Sequence, residues 1–135
     1  MDQVALVVSL IDDGRNLIEE LVRQGETVTA AGWIKTSDDG MWFLYLALPG
    51  IEDEDPRKAY RRIGAVIRKM PEPFLINQRD VKVIDSTDPV AVAAADYQRR
   101  HGAKKVLPYR GDHLGGVSIE GAYIYPPVTA APQPE

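Results

Sequence analysis

The sequence contains no cysteine in 135 residues and only two histidines. The missing cysteine excludes disulfide bonds, thiolate metal sites and a cysteine nucleophile. No apolar run approaches the roughly 20 residues that span a bilayer, so we expect no contact with membranes. The start lacks the basic segment and small-residue cleavage site of a secretory signal. We therefore expect a cytoplasmic protein.

Recognisable catalytic and ligand-binding motifs are also absent. The sequence has no G-x-G-x-x-G, no G-x-x-x-x-G-K-[S/T] and no G-x-S-x-G, which are the signatures of dinucleotide, phosphate and acyl-transfer sites. Asp112 and His113 are adjacent, but no H-x-H or H-x-x-x-H pair accompanies them. The sequence therefore predicts no metal ion and no cofactor.

Charge, by contrast, is abundant, and the two signs are segregated along the chain. Residues 1–55 carry 12 acidic and three basic side chains, whereas residues 56–110 carry 13 basic and five acidic ones. Such segregation is typical of a protein with a charged partner. It also arises when the two halves neutralise each other, within one fold or between two copies.

Hydrophobic periodicity predicts three helices. The aliphatic side chains of residues 4–24 share one arc of a helical wheel, and Gly25 suits the position after a helix. An alternative interpretation makes residues 4–11 a buried strand and starts the helix at Arg15, but we favour one helix. Two further helices begin where aspartate precedes proline, the preferred order of an N-cap and a first helical residue. They begin at Asp55-Pro56 and Asp88-Pro89 and run to about Met70 and His101.

The remaining segments predict strands. The second strand has apolar residues on both faces, which predicts a central strand covered from both sides. The predicted strands are residues 27–35, residues 41–48, a segment within 75–85, residues 104–109 and residues 117–125.

The order αββαβαββ predicts an α+β domain, or a layered α/β one, with three helices on a mixed sheet of four to five strands. We assign residues 1–125 to this single domain. Residues 126–135 are rich in proline and are expected to be disordered.

The second predicted helix has a uniformly basic face. No acidic residue lies between Pro56 and Met70, and like charges four residues apart repel by a few tenths of a kcal/mol. The face should therefore have an anionic counterpart. Three counterparts remain open: phosphates, a partner protein, and the chain's own acids in residues 52–55 and the first helix. The basic residues are Arg57, Lys58, Arg61, Arg62, Arg68 and Lys69.

A second basic cluster surrounds the end of the third predicted helix. Tyr97 and Tyr109 are near it in sequence and would stack on bases in a single-strand binder, although such tyrosines more often cap a core. If both clusters shared one surface, they would bind nucleic acid by releasing counterions. The sequence pI of about 5.2 argues against this function. The cluster consists of Arg99, Arg100, Lys104 and Lys105.

The segment YRGDHLGG, residues 109–116, offers the last candidates, Arg110 and His113. We interpret it as a hairpin loop in which Gly111, Gly115 and Gly116 supply positive φ angles. A metal-independent nuclease would need His101 and His113 to converge on one phosphate; we rank this hypothesis last.

These observations predict a non-enzymatic interaction module that acts through segregated acidic and basic faces. Its partner is expected to be a protein or a second copy of the chain. A nucleic-acid-binding protein is the alternative.

Overall fold

The structure, a computed structural model, describes residues 8–101 and 104–127. The helices are α1 (Val8–Arg23), α2 (Pro56–Lys69) and α3 (Pro89–His101). The strands are β1 (Ala30–Thr36), β2 (Trp42–Leu48), β3 (Val81–Asp85), β4 (Leu107–Pro108), β5 (His113–Leu114) and β6 (Val117–Ile124). Short 3-10 turns, Ile51–Asp53 and Gln78–Asp80, precede α2 and β3. Residues 128–135 of the predicted tail lie outside the described residues.

The predicted α+β class is confirmed, with a mixed sheet of six strands instead of four or five. The strand order is β3-β2-β1-β6-β4, and β5 pairs with the start of β6. All pairs are antiparallel except β2 with β3, which are parallel and are connected through α2. Strand β4 has two residues, within the predicted strand 104–109, and the two-residue strand β5 was not predicted.

Helix α1 confirms the single-helix interpretation over its described part, because residues 8–11 are helical and not a strand. The residues before Val8 lie outside the description. The helix ends in a Schellman motif, in which Glu26 N–H donates to the Leu21 carbonyl at 2.9 Å and Gly25 N–H donates to the Val22 carbonyl at 3.0 Å. Gly25 has a φ of 102°, which is why glycine is required there.

Both aspartate-proline pairs start helices as predicted. The Asp55 carboxylate accepts from Arg57 N–H at 3.0 Å, and the Asp88 carboxylate accepts from Val90 N–H at 2.9 Å. Each proline occupies the first helical position, where no backbone donor is needed.

The helices cover the sheet from both sides. Leu44, Leu46 and Leu48 of β2 pack with α1 and α2 in the larger core. On the other face, Ile34 packs with α3 in the smaller core. Strand β2 is therefore central and covered on both faces, as its two-sided apolar pattern predicted.

Several predicted boundaries were wrong. Strand β1 starts at Ala30 and not at residue 27, and β3 is confined to Val81–Asp85. In residues 109–116, the turn is the two-residue Gly115-Gly116 pair, with φ angles of 58° and 84°, while His113 and Leu114 form β5. Gly111 has no positive φ, so its predicted role in the turn was wrong.

Candidate functional site

Two cations of the predicted basic face are bound by acids of the same chain. Arg62 contacts Glu26 through Nε at 2.7 Å and Glu54 through Nη1 at 3.1 Å. The hydrogen bond to Glu26, followed by that to Glu54, raises the pKa of Arg62. Arg57 contacts Asp55, the N-cap of its own helix, at 2.9 Å. The hypothesis of an intrachain counterpart therefore holds for these two residues.

The remaining cations of α2 have no such counterpart. All are exposed, and within residues 8–101 and 104–127 no carboxylate forms an ion pair with any of them. They occupy the side of α2 that faces away from the sheet, because Ala59, Ile63 and Gly64 occupy the buried side. We call these residues the α2 cationic surface: Lys58, Arg61, Arg68 and Lys69.

No acid of α1 forms an ion pair with this surface in the described chain, although Glu19 and Glu20 line the groove between α1 and α2 together with Lys69. Asp12 pairs with Arg15 at 2.8 Å and Glu20 with Arg23 at 3.0 Å, both within α1. The Asp13 carboxylate accepts from the backbone N–H of Leu75 at 2.7 Å, which ties the segment after α2 to α1. Asp12, Asp13 and Glu20 are therefore engaged by residues other than the α2 cations.

The second basic cluster lies elsewhere. Arg99 and Arg100 both pair with Asp96 on α3, the latter at 2.8 Å. Lys104 and Lys105 are exposed. Because α3 covers the opposite face of the sheet from α2, Arg99 and Arg100 do not share a face with the α2 cationic surface, which the nucleic-acid alternative required of both clusters. Lys104 lies beside Arg15 and Glu19 of α1, on the α2 side.

The tyrosines and histidines near this cluster form a packed group. The Tyr97 ring lies 4.1 Å from His101 and 4.8 Å from Tyr109. Tyr97 donates to the Pro108 carbonyl at 3.1 Å and Tyr109 to the His113 carbonyl at 2.8 Å. The Tyr97 hydroxyl therefore holds the segment at Pro108 against α3, and the Tyr109 hydroxyl closes the loop that follows, so both have a structural role.

The two imidazoles are held by different neighbours. His101 Nδ1 lies 2.8 Å from the Tyr97 carbonyl, and His113 Nδ1 lies 3.0 Å from Asp112. The hydrogen bond from His113 lowers the pKa of Asp112. No hydrogen bond or ring contact joins the imidazoles to each other, and Arg110 is exposed. Among the described residues, no three histidine or carboxylate side chains are grouped to hold a metal ion.

A cavity of about 190 Å³, which no sequence pattern predicted, lies between the first turn of α3 and the sheet. Its aliphatic lining is Ile34, Ile84, Val90, Leu114, Val117 and Ile119, and its polar lining is Thr36, Tyr45 and Asp88. The two faces of each strand can be read from the sequence, but the lining comes from four separated segments. Of these lining residues, the sequence pattern singled out by name only Asp88, as the predicted N-cap of α3.

An ion pair lies near the cavity. Lys82 Nζ contacts the Asp39 carboxylate at 2.9 Å and lies 4.3 Å above the centre of the Phe43 ring. The hydrogen bond between them lowers the pKa of Asp39 and raises that of Lys82. Burial raises the pKa of Tyr45. Perturbed titrating groups beside an apolar cavity are a common property of binding sites.

No protein-family model, curated protein or solved structure matches this chain. No helix in the described part of the chain combines the length and the apolar character needed to cross a membrane.

Proposed function

We propose that this protein is a non-enzymatic interaction module that binds an acidic surface of a partner protein through the α2 cationic surface. The observation that supports the proposal is the set of four exposed cations that no carboxylate of the described chain pairs with. Four like charges on one helix face repel each other in the free protein. An acidic partner removes this repulsion and supplies the missing ion pairs.

The helix is a rigid base for such a contact. Asp55 caps its start, and Ala59 and Ile63 are fully buried beneath it. Arg62 ties it to Glu26, in the turn after α1. Exposed charges on a fixed scaffold mainly accelerate association and select the partner, and their contribution weakens as salt is added.

The nucleic-acid alternative has less support, because Arg99 and Arg100 lie on α3, which covers the opposite face of the sheet from α2. Of the second cluster, Lys104 lies beside α1, on the same side of the sheet as α2. A second copy of this chain is a special case of the protein partner.

The test is fluorescence anisotropy with a labelled glutamate-rich peptide and a labelled single-stranded DNA of the same total charge, at about 50 and 200 mM salt. We expect the peptide to bind at low salt and to dissociate as salt is raised. The double reversal Arg61→Glu and Arg68→Glu should abolish binding. The matched reversal Arg99→Glu and Arg100→Glu, on α3, should leave it unchanged.

Three outcomes would redirect the proposal. Tighter binding of the DNA, with the same dependence on Arg61 and Arg68, would favour the nucleic-acid alternative. A salt-sensitive dimer in sedimentation velocity that the α2 reversal dissociates would identify the partner as a second copy. If neither probe binds and the chain is a monomer, the proposal is wrong. We also propose a cytoplasmic location, which fractionation of cells that express the tagged chain would test.

A further inference from the structure

The walls of the cavity beside α3 are fixed in position. Gly115, in the turn between β5 and β6, packs against the start of α3 so closely that a Cβ atom would lie 2.5 Å from the Pro89 carbonyl oxygen. Leu114, next to it, is 1% exposed. The turn and the first turn of α3 therefore form two sides of one rigid opening, and the space between them is built into the fold.

The size of this cavity limits its occupant. Its volume of about 190 Å³ is comparable to the roughly 150 Å³ of an apolar protein cavity that stays dry and binds benzene. It is below the roughly 300 Å³ at which sites for drug-sized ligands begin. Six aliphatic side chains form most of the lining. One six-membered ring fits, whereas a nucleotide or a larger cofactor does not.

The polar part of the lining defines the other end of the ligand. One oxygen of Asp88 accepts from Val90 N–H at 2.9 Å, while no donor of the described chain is hydrogen-bonded to the second oxygen. Asp88 is the one charged residue in the lining. Lys82, the neighbouring cation, is paired with Asp39 at 2.9 Å and is outside the lining. Tyr45 and Thr36 are the other polar residues of the lining, and the Thr36 hydroxyl accepts from Asp39 N–H at 3.2 Å.

We propose that this cavity is a binding site for a small amine with one ring, whose ring lies among the aliphatic side chains and whose ammonium group pairs with Asp88. A charge-assisted hydrogen bond is roughly twice as strong as a neutral one. The free carboxylate oxygen therefore selects an ammonium group over a hydroxyl, and it repels an anion. This site is separate from the α2 cationic surface and does not depend on it.

The test is a titration of the isotope-labelled protein, followed by amide and methyl NMR shifts, with benzylamine, benzyl alcohol and benzoate. We expect saturable binding of benzylamine with a dissociation constant of roughly 1 mM, which is typical of ligands this small. Benzyl alcohol should bind about tenfold more weakly, and benzoate should not bind. The shifts should be concentrated at Ile34, Leu114 and Ile119.

Asp88→Asn provides the decisive variant, because asparagine is as good an N-cap as aspartate and α3 should stay intact. Benzylamine should then bind about tenfold more weakly, to the level of benzyl alcohol, whose own affinity should not change. Val117→Phe, at the partly exposed rim, should fill the space and remove binding of both probes.

The proposal would be overturned by any of three results. One is the absence of saturable benzylamine binding up to about 10 mM. Another is benzoate binding as tightly as benzylamine. The third is an affinity for benzylamine that Asp88→Asn leaves unchanged in a variant with the parent spectrum.

Discussion

The indole nitrogen of Trp33 donates a hydrogen bond of 3.0 Å to the hydroxyl of Tyr125. The same hydroxyl donates to the Ile11 carbonyl at 2.6 Å. Strand β1, the residue after β6 and helix α1 are thus joined at one buried oxygen. Burial raises the pKa of Tyr125, so the hydroxyl keeps its proton, and its role as a donor, at neutral pH.

Tyr125→Phe should lower the free energy of unfolding by about 1–3 kcal/mol, because it leaves the buried Trp33 nitrogen without an acceptor. Urea denaturation followed by circular dichroism measures this. Tyr123→Phe is the matched control, since Tyr123 is half-buried and its hydroxyl forms no hydrogen bond with the described residues. We expect a change below about 0.5 kcal/mol there. Equal losses in the two variants would contradict the role given to the Tyr125 hydroxyl.

Gly14→Ala should destabilise the protein although alanine is the better helix former by about 1 kcal/mol. A Cβ at this position would overlap the Tyr125 hydroxyl and lie 3.0 Å from the Trp33 nitrogen. We expect a net loss of about 1–3 kcal/mol in the same denaturation experiment.

Gly64→Ala, in α2, is the matched control for this substitution. A Cβ there meets the end of the exposed Gln78 side chain, which can move away if it gives up the hydrogen bond that its amide donates to the Tyr60 carbonyl at 2.9 Å. The helix propensity of alanine offsets the loss of this exposed bond, and we expect the stability to change by less than about 1 kcal/mol. If the two substitutions had the same effect, the close approach of α1 to Tyr125 would not be what requires glycine at position 14.

Asp85 should make stability depend on pH in the acid range. Hydrogen bonds from the Thr87 side chain and backbone, with a further one from the backbone of Glu52, lower its pKa from 3.8 to about 2. Because the carboxylate is favoured in the folded state, its contribution is present above about pH 4 and is lost as the pH falls towards 2. Asp85→Asn should therefore have a lower free energy of unfolding than the parent at pH 7. This difference between variant and parent, the stability gap, should narrow between about pH 4 and 2.

Denaturation midpoints in urea at a series of pH values measure this gap. Asp38→Asn, in the exposed loop between β1 and β2, is the control and should show no gap at any pH. A gap for Asp85→Asn that is constant from pH 7 to pH 2 would show that its hydrogen bonds do not depend on ionisation.

Arg62 and Arg61 are adjacent but should differ in what they do. Arg62→Ala should reduce stability by up to about 1 kcal/mol, an effect that weakens at high salt, because Arg62 links α2 to Glu26 and Glu54. Arg61→Ala should leave stability unchanged and weaken binding to the acidic peptide. If Arg61→Ala destabilises the fold as much as Arg62→Ala, Arg61 has an intrachain role and the α2 cationic surface is smaller than proposed.

The features predicted correctly from the sequence depend on local signals. The pairs Asp55-Pro56 and Asp88-Pro89 determine where α2 and α3 start, because an N-cap satisfies its own helix without help from distant residues. Gly25 ends α1 for the same local reason. The apolar pattern of β2 on both faces also required a central position, whatever its neighbours were.

The features that were missed depend on which distant segments meet. The sequence pattern assigns Ile34, Asp88 and Leu114 to three separate elements, and only their packing produces the cavity. The division of the α2 cations into paired and unpaired ones also depends on packing. Arg62 contacts Glu26, which is 36 residues away in the sequence. A helical wheel shows only the residues of one helix, so it does not predict this contact.

The pairing of β1 with β6 has a consequence for biosynthesis. Gly32 lies opposite Ile124 in the centre of the sheet, so the middle of the molecule is assembled from the early and the late parts of the chain. While the ribosome is still making β6, one edge of β1 has no hydrogen-bonding neighbour, and the indole nitrogen of Trp33 lacks its acceptor, the Tyr125 hydroxyl. The nascent chain must therefore keep an unpaired strand edge from aggregating until residues 117–125 have emerged from the exit tunnel.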